Sequence, residues 1–405
     1  GAVILMQINS NKIEFLVGDM EVLQNMQKTP ALPTFSSQAI SFLADLSREL
    51  LKDARTRQYV DVMSYAYWIR RASIESVRSK HTDYHCRLGR GIAFHIAPSN
   101  VPVNFAVSMT SSLLAGNCTL IRVSNKQFPQ VDIICHAMNK LLNTEHSNMR
   151  PYFCLIRYEH SDDITRELSA ICDVRIIWGG NRTIETIRQA PLPPRAIEMA
   201  FADRHSIAII NSDEYMKGDS KEIAKGFYTD TYYSDQNACS SPRLVVWMGN
   251  SIKTAKEKFW NELEVLVRND YEMKPIQAVD KYTSVCMLGM KENNQHLVSK
   301  DNYVVRMEID TLKSYLMDYK NGGGYFFEYS AEKLEEIEPI LTKQCQTISV
   351  YGIDKNVVKK LVFDKGVRGV DRIVELGQTM GLEFIWDGYK MIETMSRFVY
   401  TGGYQ

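Results

Sequence analysis

The sequence contains no complete G-x-G-x-x-G, no Cys-x-x-Cys pair and no uninterrupted apolar run long enough to cross a membrane. The first absence removes the ordinary dinucleotide fingerprint, in which glycines let a helix N-terminus approach a pyrophosphate; Gly89-Arg90-Gly91 is only a fragment of it. The second argues against a structural zinc site, because the eight cysteines, at positions 86, 118, 135, 154, 172, 239, 286 and 345, are scattered rather than gathered with histidines at chelating spacing. The longest apolar region, Gly91 to Val123, is broken by Pro98, Asn100, Pro102, Asn104 and Gly116, so it reads as core threaded past a site and not as a spanning helix. Charge of one sign is missing too. Lys plus Arg equals Asp plus Glu at 48 each, which gives no hint of nucleic acid or an anionic membrane as partner. The apolar start Gly1–Met6 is too short for a signal peptide or a membrane span, and with scattered thiols it predicts a reducing, cytoplasmic setting.

What is present is the alternation of an α/β protein. A chain of 405 residues exceeds the usual size of one hydrophobic core, so two domains are expected. Helical spacing runs from about Phe35 to Val77, with Ile40, Leu43, Leu46, Leu50 and Leu51 on one side. The run Gly91–Ala97 suits a buried strand ended by Pro98, and a helix over Val103–Leu114 is expected to stop at Gly116 in the left-handed conformation. Strands over Cys118–Val123, Tyr152–Ile156 and Val174–Ile177 alternate with helices over Val131–Leu142 and Ile164–Ser169, which implies parallel strands joined by crossovers. Gly179-Gly180 then opens a helix over Arg182–Gln189, an arrangement that can hold a phosphate on unpaired N–H groups. After the strand Ser206–Ile210, the polar stretch Asn211–Asp219 reads as a linker, and the domain boundary is placed there. The second part is expected to hold helices over Lys221–Tyr228 and Ile252–Arg268, strands over Leu244–Trp247 and Thr347–Val350, and a Gly322-Gly323-Gly324 loop.

Two segments carry a sharper signal. One is Pro98-Ser99-Asn100-Val101-Pro102-Val103-Asn104-Phe105, followed by Leu113-Leu114-Ala115-Gly116-Asn117-Cys118 and Ile121-Arg122-Val123-Ser124. The other is Ser234-Asp235-Gln236-Asn237-Ala238-Cys239-Ser240-Ser241-Pro242-Arg243. Together they resemble the aldehyde dehydrogenase superfamily, with its Pro-x-Asn-Phe turn, Ala-Gly-Asn helix end, basic-x-Ser strand end and Gln-x-Cys nucleophile loop. Within it the chain is most similar to the LuxC-type acyl-CoA reductases, on Arg372-Ile373-Val374-Glu375-Leu376-Gly377-Gln378 and Ile385-Trp386-Asp387-Gly388-Tyr389. The resemblance spans roughly Gly89 to Val399 and leaves the N-terminal helices unplaced.

That resemblance implies an aldehyde dehydrogenase-like fold of two three-layer α/β domains with parallel sheets: a Rossmann-like cofactor domain and a catalytic domain. The expected division is 1–212 for the N-terminal helices and the NAD(P)-binding domain, 213–375 for the catalytic domain, and 376–405 for a segment returning to the cofactor domain or to a subunit interface. Cys239 becomes the expected nucleophile, since a thiolate attacks acyl carbons well and forms a thioester that accepts hydride; a buried structural cysteine is the plain alternative, and Cys118, inside an apolar strand, fits that alternative. Asn104 matches the side-chain amide that, with the nucleophile's own N–H, binds a developing oxyanion, each such donor being worth about 3 kcal/mol; a helix cap is its plain alternative and Asn100 its nearby competitor.

For the cofactor, the resemblance maps the adenosine-ribose contact onto Arg122 and Ser124, and an Arg there favours the 2′-phosphate of NADPH over NADH. Gly179 and Gly180 are expected to admit the pyrophosphate, and Glu328 to hold the nicotinamide ribose. No metal is expected. Hydrolytic relatives carry a Glu that activates water, whereas the corresponding stretch here is Phe201-Ala202-Asp203-Arg204-His205-Ser206. Asp203 and His205 are candidates for assisting protonation, and Arg243 matches the signature as scaffold. The expected activity is therefore NADPH-dependent reduction of an acyl thioester to aldehyde, with acyl-CoA or an acylated protein of the acyl-protein synthetase type as partner, in a homo-oligomer. An aldehyde-oxidising dehydrogenase and a Cys-dependent acyltransferase without hydride transfer are the alternatives.

Overall fold

The structure, a computed structural model, describes residues 7–291, 295–299 and 301–403; the apolar start Gly1–Met6 lies outside them. The chain divides into two compact units, one formed by residues up to Ala202 together with those from Leu382 onward, the other by Asp203–Gly381.

The first unit is built on a six-stranded sheet. In chain order its region holds β1 (Glu14–Val17), β2 (Arg87–Gly89), β3 (Ile92–Ile96), β4 (Cys118–Arg122), β5 (Phe153–Arg157), β6 (Val174–Trp178) and β7 (Ile197–Phe201). The sheet runs β1-β5-β4-β3-β6-β7, parallel throughout except for the β1 edge. Every residue of β3, β5 and β6 is buried, the condition of parallel strands covered on both faces, and it explains their near-continuous apolar sequences. Strand order leads away from β3 through β4 and β5 on one side and through β6 and β7 on the other, so the crevice beyond the C-terminal ends of β3 and β6 is a topological switch point. The expected helix forms at Asn104–Ala115 and stops at Gly116, whose φ is 109°; a Cβ there would also collide with Leu32 O, so only glycine fits.

The second unit contains β8 (His205–Asn211), β9 (Pro242–Met248), β10 (Gln295–Leu297), β11 (Val305–Ile309), β12 (Tyr325–Ser330), β13 (Cys345–Tyr351) and β14 (Arg372–Glu375), ordered β10-β11-β12-β9-β8-β13-β14 with only β10 antiparallel. Alternate side chains serve two cores. Ile207, Ile209, Leu244 and Phe327 face one, while Ala208, Ile210, Val245 and Phe326 face the other, which makes this a three-layer unit.

The boundary expected at residue 212 falls instead at Ala202–Asp203, between β7 and β8. The polar run that reads as a linker is the helix Ser212–Lys217, whose N-cap Asn211 accepts through Oδ1 from Asp213 N at 3.0 Å and Glu214 N at 3.1 Å. Its polarity is capping chemistry, not separation of domains. The segment expected as 376–405 divides at residue 382. Beyond it come a hairpin of β15 (Ile385–Trp386) and β16 (Tyr389–Lys390), then β17 (Ser396–Phe398), which pairs antiparallel with β2. Phe384 stacks on Trp68 with centroids 4.3 Å apart, and Asn117 Nδ2 donates to Met395 O at 2.9 Å, so this return is packed into the first unit. No described helix is long and apolar enough to cross a membrane.

Candidate active site

In the second unit the helix Ser220–Asp230 leads through a short 3-10 turn, Tyr232–Ser234, into the loop carrying Cys239, which ends where β9 begins. Asp235 and Gln236 both adopt left-handed backbone, φ 55° and 56°, costing on the order of 1 kcal/mol per residue for side chains of this kind. The Gln236 side chain holds them there. It is fully buried, its Nε2 donating to Pro242 O at 3.1 Å and Tyr325 O at 2.9 Å, its Oε1 accepting from Gly324 N at 3.0 Å and Tyr325 N at 2.9 Å. One amide thus ties the Cys239 loop to the starts of β9 and β12. Gly323 N adds a bond to Asp235 O at 2.8 Å.

Cys239 is half-buried, and none of the cysteines forms a disulfide among the described residues. Its carbonyl accepts from Ser206 Oγ at 2.6 Å, and that Ser206 hydroxyl in turn accepts from Thr347 N at 3.1 Å, so β8 and β13 fix the loop from the other side. Cys118, Cys135, Cys154, Cys172 and Cys345 are different: burial pushes each of these thiols up to about 12, leaving them inert at neutral pH.

Charge around the loop is unusual. Arg243, on β9, is buried; its Nη2 donates to Gln236 O at 2.5 Å and its Nη1 to Asn321 O, while its Nε is buried with no hydrogen-bond partner among the described residues. Burial lowers the Arg243 guanidinium to about 10, and Cys239 is the group that opposes this. Lys320 is lowered by burial and by Arg243, against Asp203, Cys239 and Asp318. His205, at the start of β8, is buried and held down to about 4 first by desolvation and then by Lys320, so it is neutral at pH 7. As a neutral imidazole with Nε2 buried and unbonded among the described residues, it is poorly placed to deliver protons from solvent.

Asp230, fully buried, accepts from Gly377 N at 2.6 Å and Thr379 N at 3.1 Å, while Arg372 Nη1 donates to Thr379 O at 3.1 Å. The Arg372–Gln378 signature is thereby fastened to the end of the helix that leads to Cys239. Burial raises Asp230 to about 6 from 3.8, with the two amides and Arg372 opposing. A carboxyl raised on folding binds its proton more tightly in the native state, so its contribution is fully present below the unfolded pKa and is lost as pH rises from about 4 through 6. Wild type is accordingly expected to lose on the order of 2–3 kcal/mol relative to Asp230→Asn between pH 4 and 6.5, and little above that. Parallel urea melts across this range check it, and equal pH slopes for the two proteins would sink it.

The remaining candidates, apart from Glu328, lie in the first unit. Asn104 is the first residue of its helix, not the cap, since Val103 occupies that position; its Oδ1 is buried without a hydrogen-bond partner among the described residues. A buried amide oxygen left unsatisfied costs about 1–3 kcal/mol. Arg122 ends β4, its Nη2 donating to Tyr158 O at 3.0 Å and its guanidinium lying 4.2 Å from the Tyr158 ring centroid. Ser124 donates through Oγ to Ser99 O at 3.2 Å and accepts from Lys126 N at 3.1 Å. A small hollow lined by Ala97, Pro98, Val101, Pro102, Val123 and Ser124 opens beyond the ends of β3 and β4. Gly179 and Gly180 follow β6 across the switch point, Gly180 being the cap of the helix Asn181–Ile187 with φ −68°. Neither glycine is left-handed, so backbone conformation does not require glycine at either position. At Gly179 a Cβ would press on Thr183, at 3.2 Å.

The expectation for Glu328 is corrected. It lies on β12 in the second unit, 1 % exposed, its carboxylate taking Trp247 Nε1 at 3.2 Å, Trp260 Nε1 at 2.5 Å and Arg306 Nε at 2.9 Å. No face is left for a ribose. Tyr325, Phe326 and Phe327 are buried strand residues, and Glu328 continues that strand in the core.

A mostly parallel two-unit α/β chain with a cysteine loop entering the second sheet is the aldehyde dehydrogenase architecture. Solved structures agree: aldehyde dehydrogenase 21 from Physcomitrella patens is 11% identical at a TM-score of 0.66, covering 93% of this chain and 87% of that one. An acetylating aldehyde dehydrogenase from Geobacillus thermoglucosidasius is 12% identical at 0.58, covering 89% and 86%. Within that fold, the acyl-CoA reductase (LuxC) family matches residues 24–321, and the chain belongs to that family. The match takes in the N-terminal helices that no motif had placed and ends before Arg372, short of the C-terminal segment that also carries the resemblance. Among curated relatives, the long-chain acyl-protein thioester reductase of Aliivibrio fischeri is 24% identical over 308 residues, covering 71% of this chain. Long-chain acyl-protein thioester reductase 2 of Photobacterium leiognathi is 27% identical over 308 residues, covering 72%. The matched regions span 58% and 59% of those relatives.

Proposed function

We propose that this chain is an NADPH-dependent reductase of acyl thioesters, acting through an acyl group carried on Cys239. The observation that carries the reading is the contrast among thiols: Cys239 alone sits half-exposed on a loop whose strained backbone is held by a fully bonded buried amide, while five others are buried and inert. Cys239 attacks the thioester carbon and takes the acyl group, releasing the donor thiol. Asn104 serves the oxyanion with its amide, together with the Cys239 N–H. With no Glu in the segment from Phe201 to Ser206, and with His205 neutral and buried, the water-activating Glu of hydrolytic relatives has no counterpart there, which favours keeping the acyl group for reduction.

NADPH fits the first unit on grounds of its own: a hollow bordered by apolar side chains, a guanidinium held over Tyr158, and glycines across the switch point. Arg122 and Ser124 would hold the adenosine ribose and its phosphate, with Gly179 and Gly180 beside the pyrophosphate. When bound, the reduced nicotinamide supplies the hydride. The donor is acyl-CoA or an acylated partner protein, in a homo-oligomer of the cytoplasm. Relatives whose printed names specify long-chain acyl-protein thioesters favour a long chain and a protein donor.

The test is oxidation of NADPH at 340 nm with a panel of acyl-CoAs and an acylated carrier protein, with NADH in parallel and aldehyde trapped as its hydrazone. Aldehyde formed with NADPH in preference to NADH is the expected result. Free acid formed from aldehyde and NADP+ without CoA would point to the oxidising dehydrogenase, and acyl exchange without hydride transfer to an acyltransferase.

A further inference from the structure

We propose that Arg243 and Lys320 hold Cys239 as a thiolate in the resting protein, so that fixed positive charge, not a general base, activates the nucleophile. The inference rests on Cys239 being the acyl carrier and adds how that thiol is made reactive. Arg243 carries it. A buried guanidinium ordinarily has a carboxylate against it, because an uncompensated charge away from water is costly. Here the side chain is 6 % exposed, meets only the carbonyls of Gln236 and Asn321, and keeps a buried Nε without a bond among the described residues. Both of those carbonyls belong to segments that shape the cysteine loop, Gln236 within it and Asn321 in the Asn321–Gly324 turn clamped by Gln236. The guanidinium is therefore part of the loop's own construction, bonded to the carbonyl of Gln236 three positions before Cys239 and holding there a buried Nε that is unpartnered among the described residues.

Lys320 adds a second cation from the segment immediately before that turn. Its neighbours are Arg243, Asp203, Asp318 and Cys239. His205 faces Lys320, Arg243 and Arg204 from β8 and is held neutral by them and by burial, so it neither adds a third charge nor offers a base. Arg204 is already neutralised by Asp371 at 2.6 Å. Of the carboxylates near Lys320, Asp203 is exposed, where solvent screens its pull. Among the described residues no carboxylate bonds to Arg243.

The chemistry balances without a proton on the protein. Cys239 thiolate attacks the acyl carbon, a carbon–sulfur bond forms, and the donor's carbon–sulfur bond breaks with its electron pair leaving on the donor sulfur, which is protonated by solvent. After hydride addition the tetrahedral oxyanion collapses to aldehyde, and the carbon–sulfur pair returns to Cys239 as thiolate. A cation beside that sulfur favours it both as nucleophile and as leaving group. Activation of this kind needs neither a Glu in the Phe201–Ser206 segment nor a proton taken by His205.

The test reads the thiol itself. Alkylation of Cys239 by iodoacetamide is followed against pH by peptide mass spectrometry in wild type, Lys320→Gln, Arg243→Lys and Arg243→Met. The expected midpoint for wild type lies below about 7.5, against roughly 8.5 for an ordinary thiol. It should rise by about one pH unit or more in Arg243→Met, rise less in Lys320→Gln, and stay low in Arg243→Lys, which keeps the charge. A wild-type midpoint near 8.5, or one that neither charge-removing variant moves, overturns the proposal; should Arg243→Met fail to fold, Lys320→Gln decides alone. The carrier reading fails separately, by aldehyde formation persisting in Cys239→Ala, a result that alkylation midpoints cannot produce.

Discussion

Replacing Cys239 by Ala is expected to lower aldehyde formation by about a thousandfold or more, because loss of a covalent nucleophile leaves only binding and electrostatic stabilisation behind. Affinity for NADPH should change by less than about twofold, since the groups assigned to the cofactor lie in the first unit and the thiol in the second. Intact mass after incubation with an acyl donor in the absence of NADPH gives an independent reading: wild type gains one acyl group, and the variant gains none. Titration by calorimetry completes the set. Acyl mass retained on the variant would move the carrier to another residue, with Cys86 and Cys286 the exposed or half-exposed thiols to examine. Substitution of Cys118 should do neither thing, because that thiol is buried in β4 and burial has pushed it to about 12.

Much of the first unit was legible in the sequence because its strands are short, wholly apolar and punctuated. Pro98 ends β3, and Gly116 ends the helix before β4 because no other residue tolerates that φ against Leu32. Such signals are local. What was not legible depends on contacts made at long range. Asn211 and Asp213 look like linker residues until the helix that Asn211 caps and Asp213 opens is seen, and that error moved the boundary from 202 to 212. The Gln of the nucleophile loop was visible as a motif, but its work was not: it spans to Gly324 and Tyr325, almost ninety positions away. Arg243 matched the signature without a role that the sequence could supply and was read as scaffold; its burial comes only with the fold. Asp230 gave no signal at all. Nothing in Phe227-Tyr228-Thr229-Asp230 says that the carboxylate will meet the amides of Gly377 and Thr379.

Glu328 supplies the sharpest separation between a binding residue and a core residue. Glu328→Ala is expected to cost about 3–5 kcal/mol of stability, the range for removing one partner of a buried ion pair. The loss has identifiable parts: Arg306, whose Nη2 lies 2.8 Å from the carboxylate, keeps its charge without compensation, and the indole N–H groups of Trp247 and Trp260 lose their acceptor. Affinity for NADPH should not change in whatever fraction remains folded. A ribose ligand predicts the reverse, with affinity falling tenfold or more and the melting transition hardly moved. A second substitution sharpens the comparison. If the cost of Glu328→Ala is largely the stranded guanidinium, then Glu328→Met combined with Arg306→Met removes both charges and should lie closer to wild type than Glu328→Ala does, because burying two charges is itself expensive and an apolar pair of similar volume avoids that expense. Urea melts of the single and double variants decide it. Additive losses in the double variant would mean that the Trp247 and Trp260 N–H groups, rather than the charge pair, make Glu328 necessary to the core.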